Sequence, residues 1–157
     1  MTNGIKVKKR NGRGVEPLDL EKMHKMVEEA TKGITGVSAS QVEIQSGIQF
    51  YDGITTGEIQ EILIKSASDL IDLDNPNYQY VAARLLLFAV RKNLYGKIRE
   101  LPHLENHIYN CTNVDVYDKE IFDKYSKEEI DKANDFIDHE RDFLFTYAGL
   151  RQVVDKY

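Results

Sequence analysis

The stretch from Asn77 to Gly96, NYQYVAARLLLFAVRKNLYG, limits the possible folds more than any other part of the chain. Between Val81 and Val90 only Arg84 carries a charge, and apolar residues fall on nearly every side of a helix. Such a helix cannot lie on a surface with one wet face; other elements have to wrap it. Its apolar run is also far too short to span a bilayer. The expectation is a helical bundle with this helix at its centre. Asn75-Pro76 opens it, with proline at the first helical position. Arg91 and Lys92 complement the dipole at its end, and Gly96 closes it.

The helices around it have clear starts. Ser38-x-x-Gln41, Thr55-x-x-Glu58 and Ser126-x-x-Glu129 are capping boxes, in which the hydroxyl accepts from a free backbone N–H and the Gln or Glu reaches back. Each is flanked by a hydrophobic staple: Val37 with Val42, Ile54 with Ile59, Tyr125 with Ile130. The second start fits Thr56 as the cap equally well. Earlier in the chain, Asp19 is a good N-cap for a helix to about Lys32, with Leu20, Met23, Val27 and Ala30 as its apolar stripe and Gly33 as its stop. "GIQFYDGI" links the second and third helices through Gly53.

Ahead of Asp19 the pattern changes period. Ile5, Val7 and Lys9 alternate with Lys6, Lys8 and Arg10; "NGRG" offers Gly12 and Gly14 for a turn; Val15 to Leu18 makes a return strand whose Pro17 suits an edge. This hairpin is strongly basic although the chain has a net charge of −5. A charge run on a two-stranded ribbon is most often a solvated face. Here the turn glycines permit close backbone approach, and the helix behind them aims free N–H groups at its start, where anions bind.

Residues 1–96 therefore read as one unit, a hairpin on about four helices, and residues 97–157 as a second, looser one. In the second, Pro102 to Cys111 reads as a helix, "TNVDVYDKEIF" as a connection and Ser126 to His139 as another helix. "RDFLFTYAGLRQVVDKY" runs on without a stop signal, as an element whose partners lie beyond the chain end. The fold class is mainly α with a small β-hairpin.

Composition narrows the function. Hydrophobic residues make up 41% of the chain, enough for a core. The acidic balance argues against general nucleic-acid binding, and no apolar run fits a membrane span or a signal peptide. The single cysteine, Cys111, excludes an intramolecular disulfide framework and fits a reducing cytosol. His103, His107 and Cys111 share an i, i+4, i+8 face, but a fourth zinc ligand at standard spacing is missing, so surface or interface histidines are the expectation. Neither a Walker A loop nor a G-x-G-x-x-G is present. Pattern alone stops at an α-rich domain with a candidate anion site.

The order of motifs goes further. "VKKRNGRGVEPLDLEKMHKMVEEA", then "YDGITTGEIQEILIKSASDLI", then "NPNYQYVAARLLLFAVRKNLYG" closely resembles the ATP-cone of class Ia ribonucleotide reductase large subunits, of the enterobacterial and phage type. The likeness covers residues 5–96, and "FIDHERDFLFTYAGLRQVVDKY" resembles the segment leading into the catalytic barrel. The resemblance implies an ATP-cone bundle followed by a helical connector, and a cytoplasmic protein of a bacterium or phage-infected cell. It implies a regulatory domain that senses ATP against dATP, with magnesium, and sets the activity of deoxyribonucleotide synthesis through quaternary structure. Its partners would be the rest of the large subunit, and either the small radical-generating subunit or a second cone.

Carried over residue by residue, the family's nucleotide site falls on Val7, Lys9 and Arg10 of the first strand, Glu16 and Asp19 at the hairpin exit, Lys22 on the first helix, Thr56 and Gln60 on the third, and Lys92 at the end of the buried helix. Lys9, Arg10 and Lys92 suit phosphate oxygens as charge-assisted donors. Glu16 or Asp19 suits an adenine amino group or a ribose hydroxyl. Enterobacterial enzymes carry histidine in place of Gln60 and aspartate in place of Glu58, and their hairpin is one residue shorter. These departures put discrimination between ATP and dATP in question. The family's catalytic cysteines and barrel are not in this sequence, so the chain alone is expected not to be catalytic. The alternative is a stand-alone cone in an interaction or transcription-regulator module; known repressors of that kind add a four-cysteine zinc ribbon, which this chain lacks.

Overall fold

A computed structural model describes residues 4–9, 12 and 14–157. Two compact units emerge: residues 1–90 with 143–157, and residues 91–142. The elements are mainly helical with one two-stranded antiparallel sheet, in agreement with the α+β expectation.

In the first unit, strands β1 (Lys6–Lys8) and β2 (Val15–Pro17) pair antiparallel, Lys6 with Pro17, Val7 with Glu16 and Lys8 with Val15. Gly12 and Gly14 have φ of 66° and 109°, the left-handed conformations that the turn requires. Arg10, Asn11 and Arg13 lie outside the described residues. The return strand ends at Pro17, one residue before the expected Leu18. Helix α1 (Leu20–Thr31) starts on Asp19, whose side chain accepts from the Lys22 N–H, and buries Met23, Val27 and Ala30. Leu20, expected on the same stripe, is 42% exposed at the start of the helix.

Helices α2 (Ala39–Gly47) and α3 (Thr56–Asp69) start where the capping boxes place them. The cap of α3 is Thr55, with both reciprocal bonds formed to Glu58, so Thr56 is its first helical residue. The cap of α2 differs from the expectation: Ser38 accepts from the Gln41 N–H, but the Ser38 N–H donates to the Tyr78 hydroxyl at 3.0 Å. That hydroxyl in turn donates to Gln41 Oε1, drawing the glutamine side chain away from the box.

Helix α4 (Tyr78–Tyr95) is the core helix. Tyr78, Val81, Ala82, Ala83, Leu85, Leu86, Leu87, Phe88 and Ala89 are all buried, as an all-apolar helix demands. It begins two residues later than the proline suggested: Pro76 and Asn77 form a turn of i to i+3 bonds that feeds into the helix. Each large side chain in this core contributes about 1.5–3 kcal/mol by leaving water. Arg84, the one charge in the run, donates to the carbonyl oxygens of Ala30 and Lys32 and lies over the ring of Phe143 at 5.4 Å.

The second unit contains the end of α4, then α5 (Leu104–Asn113), α6 (Glu120–Lys124) and α7 (Lys127–Asp135). Helix α5 starts after His103, two residues later than Pro102, because the His103 ring caps it by accepting from the Glu105 N–H. Helix α6 replaces part of the expected connection, with Asp118 accepting from the Glu120 N–H ahead of it. Helix α7 has the complete Ser126–Glu129 box but ends at Asp135, short of His139. A buried guanidinium ties this unit together: Arg91 pairs with Asp142 at 2.6 Å and donates to the carbonyls of Ile98 and His139.

A 3-10 turn (His139–Leu144) follows, and α8 (Tyr147–Lys156) returns to the first unit. Its start signal was missed in the sequence: Thr146 accepts from the Gly149 N–H as an N-cap. No helix is long and apolar enough to cross a membrane among the described residues.

Candidate functional site: the hairpin, the start of α1 and the start of α3

The hairpin sorts its side chains by strand alternation. Val7 is 3% exposed, whereas Lys6 and Lys8 on either side point out. Glu16 faces Val7 across the ladder, and Lys9, on the Val7 face, places its Nζ 2.7 Å from Glu16 Oε2. Both members of this pair are about two-fifths exposed, at 43% and 36%. An ion pair so wet is worth about 0–1 kcal/mol and opens at little cost.

Where β2 runs into α1, Asp19 and Lys22 form a second pair. The Asp19 carboxylate accepts from the Lys22 N–H at 3.1 Å and lies 3.2 Å from its Nζ. The backbone N–H of Lys22, then its ammonium, hold the Asp19 carboxyl below the ordinary carboxylate range. Reciprocally, the bond to Asp19 and then the charges of Asp19 and Glu16 raise the Lys22 ammonium. Glu16, Asp19 and Lys22 line a cleft of about 500 Å³, with Ile5 and Leu18 as its apolar wall.

The third part arrives from across the sequence. Residues 52–55 run along the free edge of β1, on the side opposite β2. The Lys6 N–H donates to Asp52 Oδ1, the Gly53 N–H to the Lys6 carbonyl, and the Lys8 N–H to the Ile54 carbonyl, each at 2.8 Å. Lys8 and Thr55 form a parallel bridge. Ile54, within this strap, is fully buried. The strap leads straight into α3, so Thr56 opens the helix next to the hairpin and Gln60 follows one turn on, 6% exposed.

Of the residues expected in the site, the structure gathers Val7, Lys9 and Glu16 on one hairpin face and Glu16, Asp19 and Lys22 around one cleft. Thr56 and Gln60 share a helix whose start is bonded to the same hairpin. Lys92 is exposed in the last turn of α4 and belongs to the second unit. Arg10 lies outside the described residues.

The strap was not read from the sequence as part of the site. Gly53, with φ of 84°, was the one signal; a Cβ there would meet Lys8 Cε at 3.8 Å. Tyr51 was missed as well: its hydroxyl donates to Glu58 Oε1 at 2.7 Å, while Glu58 Oε2 accepts from the Thr55 N–H and hydroxyl at 2.8 and 2.7 Å. These bonds, Thr55 first and Tyr51 after it, keep the Glu58 carboxyl below its ordinary value, with the charge of Lys8 assisting.

The histidine–cysteine face divides. His107 Nε2 lies 3.7 Å from Cys111 Sγ and 3.5 Å from the Tyr117 hydroxyl. His103 turns instead to Asp131, 3.6 Å away, so with Glu105 and Asp131 it forms the one group of three mutually close metal-ligand types among the described residues.

A two-stranded ribbon fastened over a helical core, with paired cations and acids at its exit, defines a small α+β module with a charged cleft. The family profile described as the ATP cone domain matches residues 5–93, and the chain belongs to that family. It is 44% identical over its whole length to a ribonucleoside-diphosphate reductase 1 subunit alpha of Escherichia coli, of which it covers 20%. It is 42% identical to the ribonucleoside-diphosphate reductase subunit alpha of Enterobacteria phage T4, over 90% of this chain and 19% of that protein. The Helicobacter pylori subunit alpha is 41% identical over 98% of this chain. The chain thus spans about a fifth of the length of these relatives.

Proposed function

We propose that this chain is the allosteric domain through which a ribonucleotide reductase large subunit reads ATP against dATP, with residues 1–96 as the cone and 97–157 as the connector toward the catalytic region. The observation that carries this reading is the alignment of Val7, Lys9 and Glu16 on one hairpin face beside the Asp19–Lys22 cleft, in a chain of the ATP-cone family.

The chemistry of the pocket supports it. The Lys9–Glu16 pair opens cheaply, so Lys9 can turn to a phosphate oxygen while Glu16 accepts from the adenine amino group. Asp19 suits a ribose hydroxyl, Lys22 adds positive charge, and Val7 offers apolar contact to the base. Thr56 and Gln60 supply polar groups from α3, and the family resemblance adds Arg10 and Lys92 as further candidate phosphate donors. A triphosphate bound this way brings magnesium with it, since the cation offsets charge that the lysines leave uncovered. The rest of the large subunit is the direct partner, and the small subunit or a second cone is the surface read by the switched state. The working compartment is the cytoplasm.

Calorimetric titration of the chain with MgATP and MgdATP tests the reading. Binding of both is expected, with dATP the tighter, and Lys9→Ala should weaken both about tenfold by removing one charge-assisted contact. No binding of either nucleotide at millimolar concentration would overturn it.

A further inference from the structure

Resting on that reading, we propose that Tyr51 is a positioning residue of the nucleotide site: through its hydrogen bond to Glu58 it latches the 52–55 strap, so that the hairpin and α3 present their nucleotide-facing groups as one rigid surface.

The site as read draws on two pieces of chain that the backbone alone joins loosely. Val7, Lys9 and Glu16 belong to the hairpin; Thr56 and Gln60 belong to α3. Between them stands the strap, held to β1 by three bonds to Lys6 and Lys8. The strap must hold its course for those bonds to form, and Gly53 in its middle takes a left-handed conformation that other residues adopt only at a cost.

Its two ends are fixed by one carboxylate. Glu58 Oε2 accepts from Thr55 at the strap's exit, and Glu58 Oε1 accepts from the Tyr51 hydroxyl just before its entry. The carboxylate therefore staples residue 51 to residue 55 and spans the strap between them. The charge of Lys8 on β1 acts on Glu58 together with the hydrogen bonds from Thr55 and Tyr51. Tyr51 is itself half exposed, so it adds little to the core. Its polar contact is the latch to Glu58, and losing the hydroxyl leaves the ring in place while freeing the strap's entry.

The test is a double-mutant cycle on MgATP affinity in the 157-residue chain, with Tyr51→Phe, Glu58→Gln and the double variant. Tyr51→Phe should weaken binding about three- to tenfold, the effect of one hydrogen bond to an ionised group. In the Glu58→Gln background the same change should cost less than about twofold, because the charged acceptor is gone. The pH profile supplies a readout that a residue serving stability alone would leave unmoved. The affinity gap between wild type and Tyr51→Phe should narrow as pH falls through the range in which Glu58 takes up its proton, since the nucleotide's own titration is common to both. If Tyr51→Phe binds MgATP as wild type does while Lys9→Ala is weakened, the latch is wrong and the site stands. Equal losses in both backgrounds, or a gap independent of pH, would likewise overturn the latch. Failure of the wild type to bind MgATP at all would remove the site and the latch with it.

Discussion

Tyr78 caps a helix to which it does not belong: its hydroxyl accepts the Ser38 N–H at 3.0 Å, forty residues away, at the start of α2. The same hydroxyl donates to Gln41, and the tyrosine is 1% exposed. Tyr78→Phe keeps the ring but strands the Ser38 N–H and the Gln41 amide oxygen. The expected loss is about 1–3 kcal/mol of stability, read as a lower urea midpoint at unchanged slope. An unchanged midpoint would mean that water replaces the hydroxyl.

Gly53 predicts a second stability effect of different origin. With φ of 84° and only ordinary contact awaiting a Cβ, Gly53→Ala suffers from backbone conformation and not from a clash. The cost should be about 1–2 kcal/mol, read by chemical denaturation. Hydrogen exchange at the Lys8 N–H, which bonds to Ile54, should quicken in this variant.

His24 sets a pH dependence. Its Nδ1 lies 2.6 Å from Glu43 on α2 and its Nε2 lies 3.2 Å from Glu28 on α1. The bond to Glu43, then the charge of Glu43, raise the imidazole above its ordinary value. A raised histidine contributes stability that is fully present below the unfolded-state value of about 6.5 and fades as pH rises through the folded-state value. The melting temperature of His24→Gln should therefore fall short of wild type at pH 5.5 and approach it at pH 8.5. A difference that is the same at both pH values would show that the pair does not stabilise through the charge.

Lys6 and Lys9 separate a solvated charge from a nucleotide-facing one. Lys6 points away from the Val7 face, whereas Lys9 sits on it against Glu16. Lys6→Ala should change MgATP affinity by less than about twofold, and Lys9→Ala by about tenfold, with the Lys9 contribution shrinking at high salt. Equal effects would return the hairpin to a diffuse basic patch.

Much of the fold was legible because its signals are local. Asp19, Ser38, Thr55 and Ser126 each cap the helix that follows, since the hydroxyl or carboxylate needs only a backbone N–H two or three residues on. The hairpin alternation separated Val7 from Lys6 and Lys8, because a strand's period of two decides the face wherever the chain later packs. Helix ends were read less well. Helix α7 stops at Asp135 and α6 interrupts an expected connection, because short exposed helices carry weak periodicity. Thr146 went unread although it caps α8, since no Glu or Gln follows at the third position to complete a box.

By itself the sequence determined that α4 lies at the centre of a helical bundle, where four helices start, and that a basic hairpin with Val7 and Lys9 on one face precedes them. Tertiary structure alone decided that residues 52–55 run beside β1, that Tyr78 caps α2, and that Arg91 closes on Asp142. These contacts join residues 40 to 51 apart through backbone edges and single polar atoms. A strand edge offers the same N–H and C=O groups whatever its side chains are, so its partner is selected by where the packed helices bring the chain.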